Sequence, residues 1–314
     1  MHLLMKYIST LAHTLISRLM LLLSFFTISS MSLAADATEQ LMPKMAAGFI
    51  NGTYFHPSDI KDSDDIRFSQ VDTHIKIPIA KTGEVEDGLF LYSFNLRERE
   101  IIIEAAGNEF DNKQRLYDVS VPITYVKKQS SETSYIVSLA PGLKSSLEYV
   151  NTKDFAVNAV AQVIKTFDKY DYQYGLVYTN AFGEERLVPL AAYRYKPNAH
   201  WDLTLGFPVT YASYAPKWGQ NYFAKVTPNG GSWHVYNKGN KEETFDYVQQ
   251  GYRLGVGGQW KIGGPFWFEL ESGLQFGQDL ELEDQNNEQI SAQFENTGYI
   301  QLGINLHFGG PDQR

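Results

Sequence analysis

The chain has 314 residues, no cysteine and a formal net charge of −9. Without thiols no disulfide can brace the fold, so an exported protein of this kind must be held by its sheet and core alone. The acidic balance argues against nucleic acid as a partner. With a mean hydropathy of −0.30, a hydropathy plot finds no helical span after the N-terminus, but a β-barrel escapes that test because only alternate residues face lipid.

The chain opens with positive charge at Lys6 and Arg18 and an apolar run from Leu19 to Ile28. That run is too short for a spanning helix, which takes roughly twenty residues. Ser32-Leu33-Ala34 supplies small residues where a signal peptidase reads, so residues 1–34 are expected to be a signal peptide cleaved after Ala34. Residues 35–44 form a short periplasmic segment, 45–308 the folded domain and 309–314 a tail.

From there the chain alternates. Val71, Thr73, Ile75, Ile77 and Ile79 interleave with Asp72, His74, Lys76 and Pro78, and Phe90, Tyr92, Phe94 and Leu96 with Leu91, Ser93, Asn95 and Arg97. Three more such sets run over 118–125, 171–178 and 201–210. Period two marks strands with one apolar face. Asp154 to Lys165 is Ala-rich, but Phe155, Val157, Ala159, Ala161 and Val163 also fit period two, which favours a strand over a helix. The last strand is the cleanest: Ile300, Leu302, Ile304, Leu306 and Phe308 share one face, with Tyr299, Gln301, Gly303, Asn305 and His307 on the other.

These segments predict an all-β fold, an antiparallel transmembrane β-barrel. Strands are expected near 45–55, 67–79, 89–97, 116–126, 134–141, 154–165, 171–180, 186–195, 200–210, 250–262, 266–277 and 297–308. That is about twelve, with both termini periplasmic. Segments 56–66, 98–115 and 278–296 become long outer loops, and 211–249 another, holding a hairpin of Asn221–Val226 with Ser232–Asn237 that turns at Pro228-Asn229-Gly230-Gly231. If that hairpin enters the membrane the count is fourteen. Around the tight turn at 196–199, Tyr195 is expected to face Trp201, which sets Arg194 opposite Asp202. Across Gly263-Gly264-Pro265, Ile262 is expected to face Phe266, which sets Trp260 by Phe268 and Gly258 by Leu270. The abundant aromatics, twenty Tyr, nineteen Phe and five Trp, suit a membrane interface, although an aromatic-rich soluble β-sandwich shares that composition.

Ala140-Pro141-Gly142-Leu143-Lys144-Ser145-Ser146, Leu187-Val188-Pro189-Leu190-Ala191-Ala192-Tyr193, Tyr195-Lys196-Pro197, Trp201-Asp202-Leu203-Thr204-Leu205-Gly206-Phe207-Pro208, Leu254-Gly255-Val256-Gly257-Gly258 and Glu271-Ser272-Gly273-Leu274-Gln275-Phe276 carry a resemblance. From about Ile66 to Phe308 the chain resembles an uncharacterised family of bacterial outer-membrane β-barrels, a domain of unknown function. The resemblance implies fold and location in the outer membrane, with no catalytic set to carry over. Gly309 to Arg314, following the last Phe, depart from the commonest terminal pattern.

The candidate lumen residues are Arg194, Asp202, Arg253, Gln259, Lys261, Glu269 and Glu271, with Gln275 on the same face. Glu269 and Glu271 beside Lys261 and Arg253 read either as a charged girdle that filters solutes or as an ion network that fills a small lumen. Tyr299, Leu302, Ile304, Leu306 and Phe308 form the terminal-strand signal. Among the histidines, His74 and His234 could serve a lipid hydrolase near the outer rim, whereas His200 and His307 lie at the periplasmic end, and no nucleophile motif accompanies any of them. Their scatter argues against a metal site. The acidic clusters at Asp59, Asp62, Asp64 and Asp65 and at Glu281, Glu283, Asp284 and Glu288 read as solvated loops, or as sites for divalent cations shared with lipopolysaccharide. Gly255, Gly257 and Gly258 lack the strand–turn–helix setting of a nucleotide loop and read as relief of crowding.

The expectation is therefore a non-enzymatic, porin-like outer-membrane barrel without a cofactor, either a narrow channel or a structural barrel. A membrane-embedded lipid-modifying enzyme and a soluble periplasmic ligand-binding β-protein are the alternatives. The expected partners are outer-membrane lipid and lipopolysaccharide, with the barrel assembly machinery and periplasmic chaperones during biogenesis.

Overall fold

A computed structural model describes residues 46–61, 63–105, 108–237, 240–284 and 289–307. The expected signal peptide at residues 1–34, residues 35–45, Phe308 and residues 309–314 lie outside the described residues, as do Asp62 and Glu288.

The strands are β1 (Gly48–Ile60), β2 (Ser63–Thr82), β3 (Leu89–Ala105), β4 (Asn108–Ser120), β5 (Ile123–Lys128), β6 (Thr133–Ser145), β7 (Phe155–Thr166), β8 (Tyr170–Thr179) and β9 (Arg186–Tyr195). There follow β10 (Trp201–Phe207), β11 (Thr210–Lys217), β12 (Gln220–Pro228), β13 (Gly231–Asn237), β14 (Asn240–Gly263), β15 (Phe266–Asp284), β16 (Gln289–Gln293) and β17 (Thr297–Leu306). All belong to one sheet, closed where β1 pairs with β17. β4 and β5 lie end to end between β3 and β6. β12 and β13 lie end to end along β14, and β16 and β17 along β15. The result is a closed barrel of fourteen antiparallel staves.

This settles the count at fourteen rather than twelve. The segment 211–249 is not a loop. The chain turns after Phe207, at the cis Phe207–Pro208 bond, returns as β11, turns at Trp218-Gly219 and climbs again as β12 and β13. Gly219 takes φ +89°, the left-handed region that favours glycine. The expected hairpin at 228–231 is absent, because both runs travel in the same direction along β14. Asn229 and Gly230 merely interrupt one ladder, between Pro228↔Tyr252 and Gly231↔Gln249.

Two expected registers are also corrected. Tyr195 faces Leu203 rather than Trp201, so Arg194 lies opposite Thr204. The slip is two residues, which leaves every side chain on its face. At the other turn Gly263 faces Phe266 and Ile262 bulges out, while Trp260↔Phe268 and Gly258↔Leu270 pair as expected.

The outer face is apolar. Val137, Leu176, Leu205, Val256, Leu274 and Ile300 are all exposed, Leu205 at 70%. Toward the end that carries the termini this face becomes an aromatic belt. Tyr170, Tyr172, Tyr193 and Tyr195 form a chain of ring contacts, Trp201 meets Tyr214, and Trp260 meets Tyr222 and Phe268. Rings with one apolar and one polar end settle among lipid headgroups. Trp260 and Tyr252 lie about 27 Å apart along β14 at ~3.4 Å per residue, which the usual tilt reduces to about 20 Å of height, most of an apolar band about 25 Å tall.

The staves differ in length. β10 and β11 have 7 and 8 residues, whereas β2, β14 and β15 have 20, 24 and 19. A tilted strand crosses a bilayer in about 9–11 residues, so the long staves overshoot it on the outer side. Segments 56–66, 98–115 and 278–296, expected as loops, are largely these paired extensions.

Irregularities cluster at one level, the waist. β1 shifts register between Phe55 and Ser58, at His56-Pro57. β14 and β15 shift between Gln250 and Tyr252, beside Gly251 and Gly277. The β12–β13 and β16–β17 joints lie there too. Bulges bend and twist a strand, and here they lean the long staves inward. Above the waist, β1, β2, β3, β4, β13, β14, β15 and β16 form a narrower ring, completed by a parallel bridge, His234↔Ser145, to the tip of β6 and by Ile60↔Phe294. Phe68, Ile101, Leu116, Trp233, Val235, Tyr247, Leu280 and Phe294 fill it, none more than 5% exposed. An eight-strand ring is just wide enough for its own side chains to fill.

The cap should therefore behave as a packed core. Leu116→Ala removes a side chain with no exposed surface and should cost about 2–5 kcal/mol. Limited proteolysis of outer-membrane vesicles should then cut the cap strands sooner, while heat-dependent gel mobility still reports a closed barrel. Unchanged cleavage would show that the cap is not packed.

Candidate functional site

The lumen below the cap is lined by inward residues of staves with opposite chemistry on their two faces. On β2 and β3 the inward set contains Gln70, Asp72 and His74, and Arg97 and Arg99. Asp72 is the hub. Its Oδ1 accepts from Arg99 Nε at 2.9 Å and from Gln70 Nε2 at 2.8 Å, and its Oδ2 accepts from Arg97 Nη2 at 2.6 Å and Arg99 Nη2 at 2.9 Å. The fork of Arg99 thus holds the carboxylate in two places. Across the lumen, Gln249 of β14 accepts from Arg99 at 2.6 Å and donates to Gln70 at 3.1 Å, and Asn229 accepts from both arginines. The interruption at Asn229-Gly230 is what turns that carbonyl inward. Gly230 is needed because a Cβ would lie 2.4 Å from the Gln249 oxygen and 2.7 Å from the Ala181 oxygen.

A second network lies deeper. Glu271, almost fully buried, accepts from Tyr299 at 2.6 Å and Lys225 at 2.6 Å. Glu269 accepts from Gln259 at 2.6 Å, Gln301 at 2.9 Å and Asn305 at 2.6 Å. Asn221 links Gln259 to Ser213. Gly255 makes room, since a Cβ there would meet Tyr299 Oη at 2.3 Å and Glu271 Oε1 at 2.4 Å. A third group sits on the opposite wall, where Arg194 bonds Asp202 with both nitrogens of its fork and faces Asp171 at 3.7 Å.

The sequence candidates are thus brought together in part. Glu269, Glu271 and Gln259 share one network, and Arg194 and Asp202 form another. The cation on Glu271 is Lys225, not Lys261 or Arg253. Lys261 lies over the Trp218 ring and Arg253 over the Tyr299 ring, at 5.6 and 5.5 Å. On the terminal strand, Tyr299 joins the lumen network, Leu302 and Ile304 lie opposite Gly52 and Ile50, and Leu306 is buried. Sequence reasoning missed Lys225 because it lay in a supposed loop. It passed over Asp72 and Arg97, which its own alternation had already placed on one face. Thr53 of the sequon-like Asn51-Gly52-Thr53 donates to Gln301 at 2.9 Å inside the barrel.

His234 Nδ1 meets Asp246 at 2.7 Å, the arrangement of a base and its orienting carboxylate. Its Nε2 is buried and has no partner among the described residues, so no hydroxyl sits where a nucleophile must. His74 Nε2 meets Asn95 at 2.7 Å, and His200 Nδ1 meets the Ala215 carbonyl at 2.7 Å. Among the described residues no three His, Cys, Asp or Glu side chains are grouped to hold a metal ion.

The family described as "Domain of unknown function (DUF6268)" matches residues 35–309. The chain belongs to that family. No curated protein matches it. Among solved structures it is similar to the COG4313 outer membrane channel from Pseudomonas putida F1, at 7% identity, covering 87% of this chain and 100% of that one, with a TM-score of 0.43. It is also similar to the TodX monoaromatic hydrocarbon channel deltaS2 mutant (9% identity, 83% and 89%, TM-score 0.42) and the transport unit of the autotransporter AIDA-I from Escherichia coli (13%, 88% and 94%, 0.31). These likenesses are loose, and what those proteins carry belongs to them.

In this member of the family the Asp72 hub sets a clear expectation. Asp72→Ala leaves Arg99, whose side chain has no exposed surface, without its anion, and breaking a buried pair this way costs about 3–5 kcal/mol. The temperature of the mobility shift on detergent gels should fall, and far less for Asp59→Ala, whose pair with Arg67 is half exposed. Equal effects would contradict the hub.

Proposed function

We propose that the chain is an outer-membrane channel held closed by its own cap, and not an enzyme. What carries the reading is the change in width. A fourteen-stave base is too wide for its side chains to fill, and an eight-strand cap is just filled. Along β7, β8 and β9 the inward residues Asn158, Gln162, Gln173 and Arg194 are only half-buried, so one side of the lumen keeps a polar, accessible wall. On the other side stand the two buried networks, and across the outer end stands the apolar cap. A purely structural barrel has no need of a polar wall beneath a dry lid.

The exposed apolar belt favours a lipid setting over a soluble ligand-binding protein, because monomeric soluble proteins rarely expose contiguous apolar surface of this extent. The bare Nε2 of His234 favours a structural His–Asp pair over a hydrolase. In this reading the protein is exported by a signal peptide cleaved after Ala34. It is inserted by the barrel assembly machinery with periplasmic chaperones, and its belt contacts outer-membrane lipid and lipopolysaccharide.

Planar-bilayer recording tests the channel. Wild-type protein should be silent or open rarely. Phe68→Ser with Phe294→Ser removes two rings packed 4.5 Å apart in the cap and should give frequent, stepwise conductance. A folded double variant that stays silent would point to a structural barrel. A large steady current from the wild type would show that the cap does not seal.

A further inference from the structure

We propose that the waist of the barrel holds a binding site for a small oxyanion, a carboxylate or a phosphate. A cavity of about 200 Å³ lies there, room for about seven waters at ~30 Å³ each. Arg97, Asp118, Lys144, Asn158, Asn180 and Trp233 line it, beneath the backbone of Gly230 and Gly231. The charges around it do not cancel. Asp72 and Asp118 face Arg97, Arg99 and Lys144, which leaves one positive charge in excess.

The donors also outnumber the acceptors. Arg97 uses Nη2 on Asp72 and Asn229, and among the described residues its Nε and Nη1 meet no acceptor. Lys144, 7% exposed, donates to Asn180 Oδ1 and lies 3.5 Å from Asp118, with a third N–H to spare. Trp233, 3% exposed, has its Nε1–H buried without a partner. Trp233 Nε1, buried and unpaired, carries a cost of roughly 1–3 kcal/mol, and with the remaining N–H groups of Arg97 and Lys144 and the surplus positive charge it suits an anion that accepts several donors at once. Both two-donor edges of the Arg97 guanidinium include Nη2, already bonded to Asp72 and Asn229, so Arg97 offers Nε–H and Nη1–H to an anion as separate charge-assisted donors. The site is also built from the sequence run Lys144-Ser145-Ser146, where Ser145 forms the bridge to His234 that closes the cap ring. An anion held here would tie β3, β6 and the β12–β13 joint together where the barrel begins to narrow.

The test is anion binding to the full mature chain folded in detergent, with no membrane potential, so its result stands apart from that of the conductance experiment. Inorganic phosphate and succinate are titrated at fixed ionic strength against chloride, by calorimetry and tryptophan fluorescence. At least one of the two should bind saturably where chloride does not. Phosphate alone would identify a phosphate site, succinate alone a carboxylate site, and both a general oxyanion site. Lys144→Gln should weaken binding at least tenfold. Because that change leaves Asp118 unpaired, Asn158→Asp is the companion variant. It places a negative charge in the cavity without removing a partner from any of the ion pairs described above and should weaken binding as much while heat-dependent mobility is unchanged. Trp233→Phe should remove the fluorescence response. No saturable binding by folded wild-type protein, or wild-type affinity in Asn158→Asp, would overturn the proposal.

Discussion

Closing a sheet on itself ties the width of the lumen to the number of strands that take part at each height. Everything else in this barrel depends on where strands stop. Six staves, β6 to β11, stop at or below the waist, and the other eight continue. Below the waist the ring has fourteen members and encloses a wider lumen. Above it the ring has eight, and Leu116, Val235 and Trp233 close it.

The waist joins these two regimes, and it concentrates the charge. Asp72 and Arg99 are buried and Arg97 partly buried where the wall bends inward, and Gln249 and Asn229 reach them from across the lumen. Bending exposes backbone and shifts ladders, which glycine tolerates at Gly230 and Gly251. It also points polar side chains at one another from strands far apart in sequence. Such a network is costly when incomplete and fixes one arrangement when complete. Two of the bends and the ion network are therefore linked: the interruption at 229–230 supplies Asn229 to the hub, and the shift at 250–252 lies beside its ligand Gln249.

Much of the fold could be read from alternation. The period-two runs at 71–79, 90–97, 171–178 and 299–307 are strands with the faces that were assigned. Face assignment is robust because a register error of two, as at Tyr195, changes no side chain's side. Alternation does not reveal where a strand turns. Phe207-Pro208-Val209-Thr210 continues the period of the strand before it, yet the chain reverses there. Pro228-Asn229-Gly230-Gly231 has turn composition but only interrupts a ladder, because Asn229 is drawn inward by two arginines and Gly230 is pressed by the β8–β9 loop through Ala181. Those are tertiary causes with no local signature. The candidate site was half legible for the same reason. Glu269, Glu271 and Arg194 lay on recognised strands, Lys225 lay in a supposed loop, and the Asp72 hub needs partners more than a hundred residues apart.

The central claim is that the outer tier is a filled core and not an open mouth. Single cysteines in this cysteine-free chain test it directly, through labelling by a membrane-impermeant maleimide on intact cells. Ile290, 70% exposed on β16, should react quickly as Ile290→Cys. Val235→Cys, at a position with no exposed surface inside the cap, should resist until the protein is heat-unfolded. Equal labelling of the two on folded protein would contradict the account.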